Sequence, residues 1–288
     1  MSSSEKGNKD AQISVDNEEL EKLEMKLLLE GLYGWYGYDF RNYAYHSIRR
    51  RVWHRIQSEK LTSITGLLEK ILHDPACLRR LLADFSINVT EMFRDPAFFL
   101  NFREQVIPML RTYPSIRIWI AGCSTGEELY SLAILLHEEG IYDKTKIYAT
   151  DMNSEGLKIA KSGHYSINKM RKYTSNYFQS GGKEAFSDYY SVSGDQVQMN
   201  SDLRKNVVFA QHNLVTDQSF NEFHVIFCRN VLIYFNKSLQ EKVHRLFYDS
   251  LVMLGVLGLG DKETIAFTSL ADSYEGIITN QKLYKKVK

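Results

Sequence analysis

The sequence has few cysteines and prolines and almost no net charge. Its 288 residues include three cysteines and four prolines. Cys77, Cys123 and Cys228 lack the spacing of a metal site or a redox pair, which argues against a disulfide framework and predicts reduced thiols. Because 36 Lys and Arg face 35 Asp and Glu, the formal charge is +1, and no overall field attracts nucleic acid or an acidic membrane. Any charged partner must meet a local patch.

The distribution of charged and apolar residues also shows no targeting or membrane-spanning segment. No basic-then-apolar signal peptide is present, and no run approaches about 18 uninterrupted apolar residues. These absences predict a cytoplasmic protein. The chain is 44% hydrophobic and 12% aromatic, enough to bury the core of one large domain or two smaller ones.

Composition and periodicity divide the chain. Residues 1–20 are polar and charge-rich, which predicts a disordered tail. Residues 21–95 have helical spacing and predict an all-helical domain, with Thr62 or Ser63 as an N-cap. Residues 96–114 are expected to be a linker, and residues 115–288 an α/β domain.

The α/β prediction comes from alternating strand and helix patterns in the last range. Such alternation favours a parallel, doubly wound sheet, in which ligands bind at the carboxyl ends of the strands. A segment at about 165–205, rich in Tyr, Ser and Gly, interrupts the alternation and predicts an insertion. The expected strands are 116–122, 146–151, 207–213, 223–235, 256–260 and 265–269, and a long amphipathic helix is expected at 237–254.

A glycine turn follows the first predicted strand, in "AGCSTGEELYSL" (121–132). It lacks the Gly-Lys-Ser/Thr of a P-loop and the glycine spacing of a dinucleotide turn. Glu127 and Glu128 at the helix start would repel a pyrophosphate and suit a cationic ligand. Asp151, at the end of the next strand, could accept both ribose hydroxyls. A nucleoside with a cationic tail fits this set, so the turn around Gly122 predicts S-adenosylmethionine (AdoMet) binding; a purely structural turn is the alternative.

Five motifs occur in order along the chain: "SINVTEMFRDP" (86–96), "IWIAGCSTGEELYSL" (118–132), "YATDMN" (148–153), "HNL" (212–214) and "FCRNVLIYF" (227–235). Together they resemble the family of CheR-type chemotaxis-receptor methyltransferases, which are protein-glutamate O-methyltransferases. The resemblance runs from about residue 25 to the end. It implies an N-terminal helical domain followed by a Rossmann-like AdoMet-binding domain with a small inserted antiparallel β-subdomain.

The resemblance implies roles for individual residues. One group would contact AdoMet: Asn88, Thr90, Arg94, Gly122, Glu127 or Glu128, Asp151, Asn213, Leu214, Arg229 and Asn230. Arg94 and Tyr234 would form the reacting centre, with Arg94 positioning the acceptor carboxylate. Structural alternatives stand beside these roles: Asn88 and Thr90 as helix caps, Arg94 as a surface ion-pair partner, and Tyr234 as core.

A basic cluster precedes these motifs. Arg50, Arg51 and Arg55 lie close together in "SIRRRVWHR" (47–55), which is a solvated face or, by the resemblance, a surface that docks the acidic helices of a receptor. The implied partner is the cytoplasmic part of a methyl-accepting chemoreceptor or similar signalling protein, bound by a monomer. Because the 165–205 insertion is long, a receptor tether at this subdomain is in question.

Three functions are therefore compared: a glutamate methyltransferase, a non-catalytic AdoMet- or S-adenosylhomocysteine-binding adaptor, and a methyltransferase for RNA or a small molecule. An intact Asn88, Thr90 and Arg94 set favours the first. The third needs a basic groove that the sequence lacks. No metal is predicted, because the histidines show no ligand-like spacing.

Overall fold

The computed structural model describes residues 4–85, 90–278 and 282–288. The chain divides into two compact units, Met1–Ser86 and Ile87–Lys288. None of the helices in the described ranges is both long enough and apolar enough to cross a membrane.

The described part of the first unit is helical, as predicted. Ser63 caps the third helix, because its Oγ accepts a hydrogen bond from the N–H of Gly66 at 3.0 Å. The helices are α1 (Ser4–Tyr36), α2 (Tyr45–Ser58), α3 (Ile64–His73) and α4 (Pro75–Phe85).

Helix α1 begins much earlier than the sequence predicted. Polar composition indicated a disordered tail through residue 20, whereas the helix runs from Ser4. Its polar turns contain good helix formers, and Lys22 pairs with Glu18 at 3.1 Å across one turn.

Residues 96–111 are helical, not the predicted linker. This stretch comprises α5 (Pro96–Asn101), a π-helical turn (Phe102–Val106) and α6 (Ile107–Arg111). The rings of Phe98 and Phe102 pack edge-on against Phe227, with centroids 5.1 and 5.0 Å apart. The stretch belongs to the core of the second unit, and its prolines occupy first turns, where a missing N–H costs nothing.

The remainder of the second unit alternates strands and helices. In chain order they are β1 (Ile116–Ala121), α7 (Glu127–Glu138), β2 (Thr145–Asp151), α8 (Ser154–Ser162), β3 (His164–Ser166), α9 (Met170–Gln179), β4 (Tyr190–Ser193), β5 (Gln196–Met199), β6 (Val207–Gln211), β7 (Phe223–Cys228), α10 (Lys237–Ser250), β8 (Leu251–Leu259), β9 (Tyr274–Gly276) and β10 (Leu283–Lys286).

The main sheet has the order β6-β2-β1-β7-β8-β10-β9. The first five strands in that order are parallel, and β10 runs antiparallel to both of its neighbours. In β1, Ile118 is aligned with Ile147 of β2 and with Val225 of β7. Since the chain builds outward from β1 in one direction and then from β7 in the other, the strand order reverses between them. A doubly wound sheet has its ligand crevice at this point.

The predicted inserted subdomain is confirmed as a small antiparallel sheet of order β3-β5-β4.

Two other strand predictions are corrected. The run 223–235 is extended only to Cys228, after which it turns. Residues 265–269 form turns instead of a strand, and Phe267 there is 92% exposed, so no sheet face covers it. The predicted helix 237–254 ends at Ser250, because Leu251 begins β8 and pairs with Phe223.

The side chain of Phe93 anchors the segment "TEMFR" (90–94) in the hydrophobic core. It is fully buried, and its ring lies 5.3 Å from both Phe99 and Tyr177. We expect Phe93→Ala to lower the free energy of unfolding by about 3–5 kcal/mol, because it leaves a cavity among these rings. Phe178→Ala is the matched control, since Phe178 also touches Tyr177 but is 56% exposed; its cost should stay below about 1 kcal/mol. Urea denaturation of the intact chain measures both, and equal losses would contradict the assignment.

Candidate functional site

The predicted site residues from Gly122 onward follow the ends of parallel strands. Because parallel strands end at the same edge of a sheet, these residues share one edge. Gly122 follows β1, Asp151 ends β2, Asn213 and Leu214 follow β6, and Arg229 and Asn230 follow β7. The edge includes the switch point between β1 and β7.

The glycine turn is bent sharply and packed tightly. Gly122 and Gly126 have φ of 84° and 94°, a conformation that favours glycine. A Cβ on Gly126 would lie 2.9 Å from the Cα of Ala160, so α8 packs directly on the turn. The N–H of Gly122 donates to the carbonyl of Thr150 at 2.8 Å, which fastens the turn to β2.

Asp151 fastens the other side of the turn. Its Oδ2 accepts from the N–H of Ser124 at 2.8 Å, and its Oδ1 accepts from the N–H of Asn153 at 2.8 Å. Burial raises the pKa of the Asp151 carboxyl, and these backbone donors act against that shift. The carboxylate therefore links the ends of β1 and β2, at the position where the sequence predicted a ribose contact.

The two adjacent glutamates at the start of α7 have different surroundings. Glu127 is fully buried and has its own partners: Thr125 Oγ1 donates to it at 2.5 Å, and Tyr173 OH and Lys169 Nζ lie 3.3 Å away. The Glu128 side chain is 13% exposed, and its Oε1 accepts no hydrogen bond from the described residues. The sequence left the choice between the two open. Glu127 is satisfied by neighbouring side chains, whereas Glu128 Oε1 is buried beside Arg229 and accepts no hydrogen bond from the described residues, so Glu128 is the better candidate for a ligand contact.

Arg229 is a buried cation that ties three segments together. Its Nη2 donates to the backbone carbonyl of Arg94 at 3.0 Å and to the Asp95 carboxylate at 2.8 Å. Its Nη1 lies 3.6 Å from Oε1 of Glu128. Burial raises the pKa of Glu128, while the charges of Arg229 and Arg94 act to lower it. Arg229 thus holds the segment that carries Arg94 beside the acidic start of α7.

The segment that carries Arg94 is anchored elsewhere as well. The N–H of Phe93 donates to Ser131 Oγ at 2.7 Å, and the Asn176 amide donates to the Met92 carbonyl at 3.0 Å. Lys172 pairs with Glu91 at 2.6 Å. Thr90 and Arg94 are half-buried on this segment, while Asn88 lies outside the described residues. Contacts from α7 and α9 therefore fix the chain from Glu91 to Phe93, and Arg229 holds the carbonyl of Arg94 that follows.

Asn213, Leu214 and Tyr234 lie on tight turns at the same edge. The Asn213 side chain accepts from the N–H of Val215 at 3.0 Å, and its own N–H donates to Asp217 at 2.9 Å. Leu214 is buried, and Tyr234 is half-buried in a short 3-10 turn, Leu232–Tyr234. A turn held by its own asparagine leaves an apolar side chain at a strand end, which is compatible with the predicted adenine contact.

Sequence reasoning missed Glu263. This glutamate is 3% exposed, and its carboxylate accepts hydrogen bonds from backbone N–H groups of Asn230, Val231 and Leu232 at 2.7–2.9 Å. The signal was present in "LGLGDKE" (257–263), where a carboxylate follows a buried strand by a few residues.

Backbone strain concentrates at this edge. Phe93, Asp95, Ser124 and Asn230 all have φ between 51° and 61°, a left-handed conformation that side chains rarely adopt. Each such residue costs on the order of 1–3 kcal/mol and persists only where surrounding contacts hold it, which is typical of ligand sites.

The predicted docking cluster is corrected for two of its three residues. Arg51 and Arg55 lie on the core face of α2 with Ile48 and Val52, and both are buried. Arg55 pairs with Asp84 at 2.7 Å. The helical period places only Arg50 of the three on the exposed face, where it lines a groove of about 630 Å³ with His46, Arg49, Trp53, His54 and Gln57.

The geometry fits AdoMet on two grounds. The Glu128 carboxylate, whose Oε1 accepts no hydrogen bond from the described residues, can accept from an amino group, and acidic residues at a helix start disfavour phosphate ligands. Among the described residues, no group of three or more His, Cys, Asp or Glu is arranged to hold a metal ion. A doubly wound sheet with this turn at its switch point defines a Rossmann-like methyltransferase domain.

Comparison with known proteins agrees with that class. Residues 88–278 match the family described as "CheR methyltransferase, SAM binding domain", and residues 23–86 match "CheR methyltransferase, all-alpha domain". The chain belongs to the CheR methyltransferase family.

Three relatives show the extent of the similarity. The "Putative methyltransferase Cher3" of Pseudomonas putida is 48% identical over 92% of this chain and 97% of its own length. A "Chemotaxis protein methyltransferase" of Listeria innocua is 32% identical over 80% of this chain and 85% of its own. "Chemotaxis protein methyltransferase 1" of Pseudomonas aeruginosa is 29% identical over 76% of this chain and 81% of its own.

The close packing of Gly126 makes a testable prediction. Gly126→Ala should cost at least about 2 kcal/mol of unfolding free energy, since it adds both left-handed strain and a clash with α8. Gly140→Ala is the matched control: its φ is 67°, but a Cβ there would meet nothing within 4 Å, so only the strain, about 1 kcal/mol, should remain. Urea denaturation measures both, and S-adenosylhomocysteine affinity should fall only for Gly126→Ala. Equal effects in the two variants would refute the contact.

Proposed function

We propose that this chain transfers the methyl group of AdoMet to glutamate side-chain carboxylates of a chemoreceptor or related signalling protein, giving methyl esters. The observation that carries the proposal is the Glu128 oxygen without a hydrogen-bond partner, held next to Arg229 and in the field of Arg94 at the switch point. Family membership and relatives named as chemotaxis methyltransferases support the acceptor class.

For binding, we assign the amino group of AdoMet to Glu128 and the ribose hydroxyls to Asp151. Glu128 Oε1 accepts no hydrogen bond from the described residues, whereas the Glu127 carboxylate already receives hydrogen bonds from Thr125 and Tyr173. Asp151 uses both oxygens for backbone donors at 2.8 Å, and each carboxylate oxygen has a second lone pair. Asn213 and Leu214 are assigned to the adenine. Asn88, Thr90, Gly122 and Asn230 remain proposed contacts by resemblance.

For chemistry, the chain must position an acceptor and exclude water. AdoMet supplies a methyl group on a positively charged sulfur, and S-adenosylhomocysteine leaves. A glutamate side chain has a pKa of about 4.3 and is ionised at neutral pH, so it needs no strong general base. Its oxygen forms the new bond to the methyl carbon as the methyl–sulfur bond breaks. We assign Arg94 to orient the carboxylate by its planar fork of donors, and Tyr234 to hydrogen-bond it.

For docking, we assign Arg50. The groove that it lines with Arg49 and Trp53 offers positive charge and aromatic surface to an acidic helix, while Arg51 and Arg55 are buried. A monomer that meets its partner in the cytoplasm completes the proposal.

The two glutamates provide a test of the binding assignment. Glu128→Gln should weaken S-adenosylhomocysteine binding about tenfold or more, because a charge-assisted hydrogen bond to the amino group is lost, with a small effect on stability. Glu127→Gln should show the opposite balance: a loss of at least about 1 kcal/mol in unfolding free energy, because a buried, paired carboxylate is replaced. Calorimetric titration and urea denaturation measure the pair. A reversed pattern would assign the ligand contact to Glu127.

A transfer assay tests the reaction. We expect label from methyl-labelled AdoMet to enter a protein band in membranes from the source organism, and mild alkali to release it as methanol. Arg94→Ala should lower the transfer rate about 100-fold with S-adenosylhomocysteine affinity largely kept, since positioning the acceptor contributes mainly to the rate.

Arg171→Ala removes an exposed arginine of α9 and is the matched control, with full transfer expected. Label that survives alkali would move the acceptor to nitrogen or another atom. Binding of S-adenosylhomocysteine without any label transferred would favour an adaptor over an enzyme.

A further inference from the structure

We propose that Glu263 is a positioning residue for methyl transfer, whose carboxylate sets the backbone of residues 229–234 and thereby places Asn230 and Tyr234 at the site. This inference rests on the proposed function of the same site.

The Glu263 carboxylate collects backbone donors from two neighbouring strands. Its Oε2 accepts hydrogen bonds from backbone N–H groups that follow β7 and β8. Its Oε1 accepts hydrogen bonds from three successive N–H groups at the start of the 3-10 turn Leu232–Tyr234. The distances are 2.9 Å from Asn230, 2.6 Å from Gly260, 2.8 Å from Val231, 2.7 Å from Leu232 and 3.4 Å from Ile233.

These hydrogen bonds offset an unfavourable backbone. Asn230 has a left-handed φ of 61°, and the first N–H groups of a short helical turn have no partner within that turn. Glu263 is 3% exposed, so water has little access to replace it. A carboxylate is well suited to this position, because an amide offers only one acceptor oxygen and turns its NH₂ toward the remaining donors.

Gly260 makes the close approach possible. A Cβ at this position would lie 2.7 Å from the Asn230 nitrogen and 2.8 Å from Oε2 of Glu263. Real Cβ atoms do not come this close to backbone, so a side chain at residue 260 would push the two segments apart. Gly260 and Glu263 therefore hold the same arrangement by independent means, one by lacking a side chain and the other by hydrogen bonds.

The consequence for the reaction is geometric. Tyr234 ends the turn whose N–H groups Glu263 holds, and Arg229 precedes it. Displacing a reacting group by about 1 Å can lower a rate about 100-fold. Loss of the Glu263 contacts should therefore reduce the rate more than it reduces cofactor affinity.

Four variants test this role. Glu263→Gln keeps the size of the side chain but removes one acceptor, Glu263→Asp keeps both oxygens on a shorter stem, and Gly260→Ala disturbs the same contact sterically. Glu138→Gln is the matched control. Glu138 is also a buried carboxylate, with Arg103 at 2.6 Å and Tyr189 at 3.0 Å, but it lies at the far end of α7, about 16 Å from its start.

We expect Glu263→Gln to lower kcat about 100-fold and S-adenosylhomocysteine affinity about fivefold, measured at a temperature where all variants are folded by near-ultraviolet circular dichroism. Gly260→Ala should change both in the same direction, and Glu263→Asp should recover part of kcat. Glu138→Gln should keep kcat and S-adenosylhomocysteine affinity within about twofold of the unmodified protein, even if its melting temperature falls as much as that of Glu263→Gln.

The inference is overturned if Glu263→Gln keeps full kcat and affinity, or if Glu138→Gln shows equal losses, since the role would then be structural. Should the unmodified protein transfer no methyl to carboxylates, the proposed function fails separately. The affinity measurements then still decide: a loss confined to Glu263→Gln and Gly260→Ala supports the positioning role, and unchanged affinity rejects it.

Discussion

The Arg229 guanidinium is almost fully buried and touches two segments that are far from it in the sequence. It bonds to the backbone and carboxylate of the Arg94–Asp95 pair, and it lies beside Glu128 at the start of α7. Its face also covers the ring of Phe98, at 4.1 Å from the ring centroid. A buried cation is costly unless paired, so these segments are held together by the need to compensate one charge. The arrangement of the site depends on this compensation.

The same constraint explains why two adjacent glutamates diverge. Glu127 turns inward, where a hydroxyl, a tyrosine and a lysine complete its hydrogen bonds, and it becomes part of the support. Glu128 lies beside Arg229, and burial raises its pKa although the charges of Arg229 and Arg94 act to lower it. One carboxylate is tied into the turn and the next is paired with Arg229, because consecutive helical residues point in directions about 100° apart.

Much of this was predictable from the sequence, and the failures have identifiable causes. Strand ends and glycine turns are local signals, so the sheet, the inserted subdomain and the edge that carries Asp151 and Arg229 were correctly anticipated. The docking cluster failed because sequence proximity does not say which helical face is buried: Arg51 and Arg55 recur with Ile48 and Val52. The linker prediction at 96–114 was wrong because Pro96 and Pro108 lie in the first turns of helices, where proline is tolerated.

By itself, the sequence determined the class of the fold and the set of residues at the strand ends. The hydrophobic periods of strands and helices, and the glycine turn, depend only on residues that are close together in the sequence. Only the tertiary structure decided how the side chains of these residues are paired. The different surroundings of Glu127 and Glu128, and the contacts of Glu263, depend on hydrogen bonds to residues some 30 to 46 positions away. Such partners are brought together by the packing of strands and helices, and no local pattern records them.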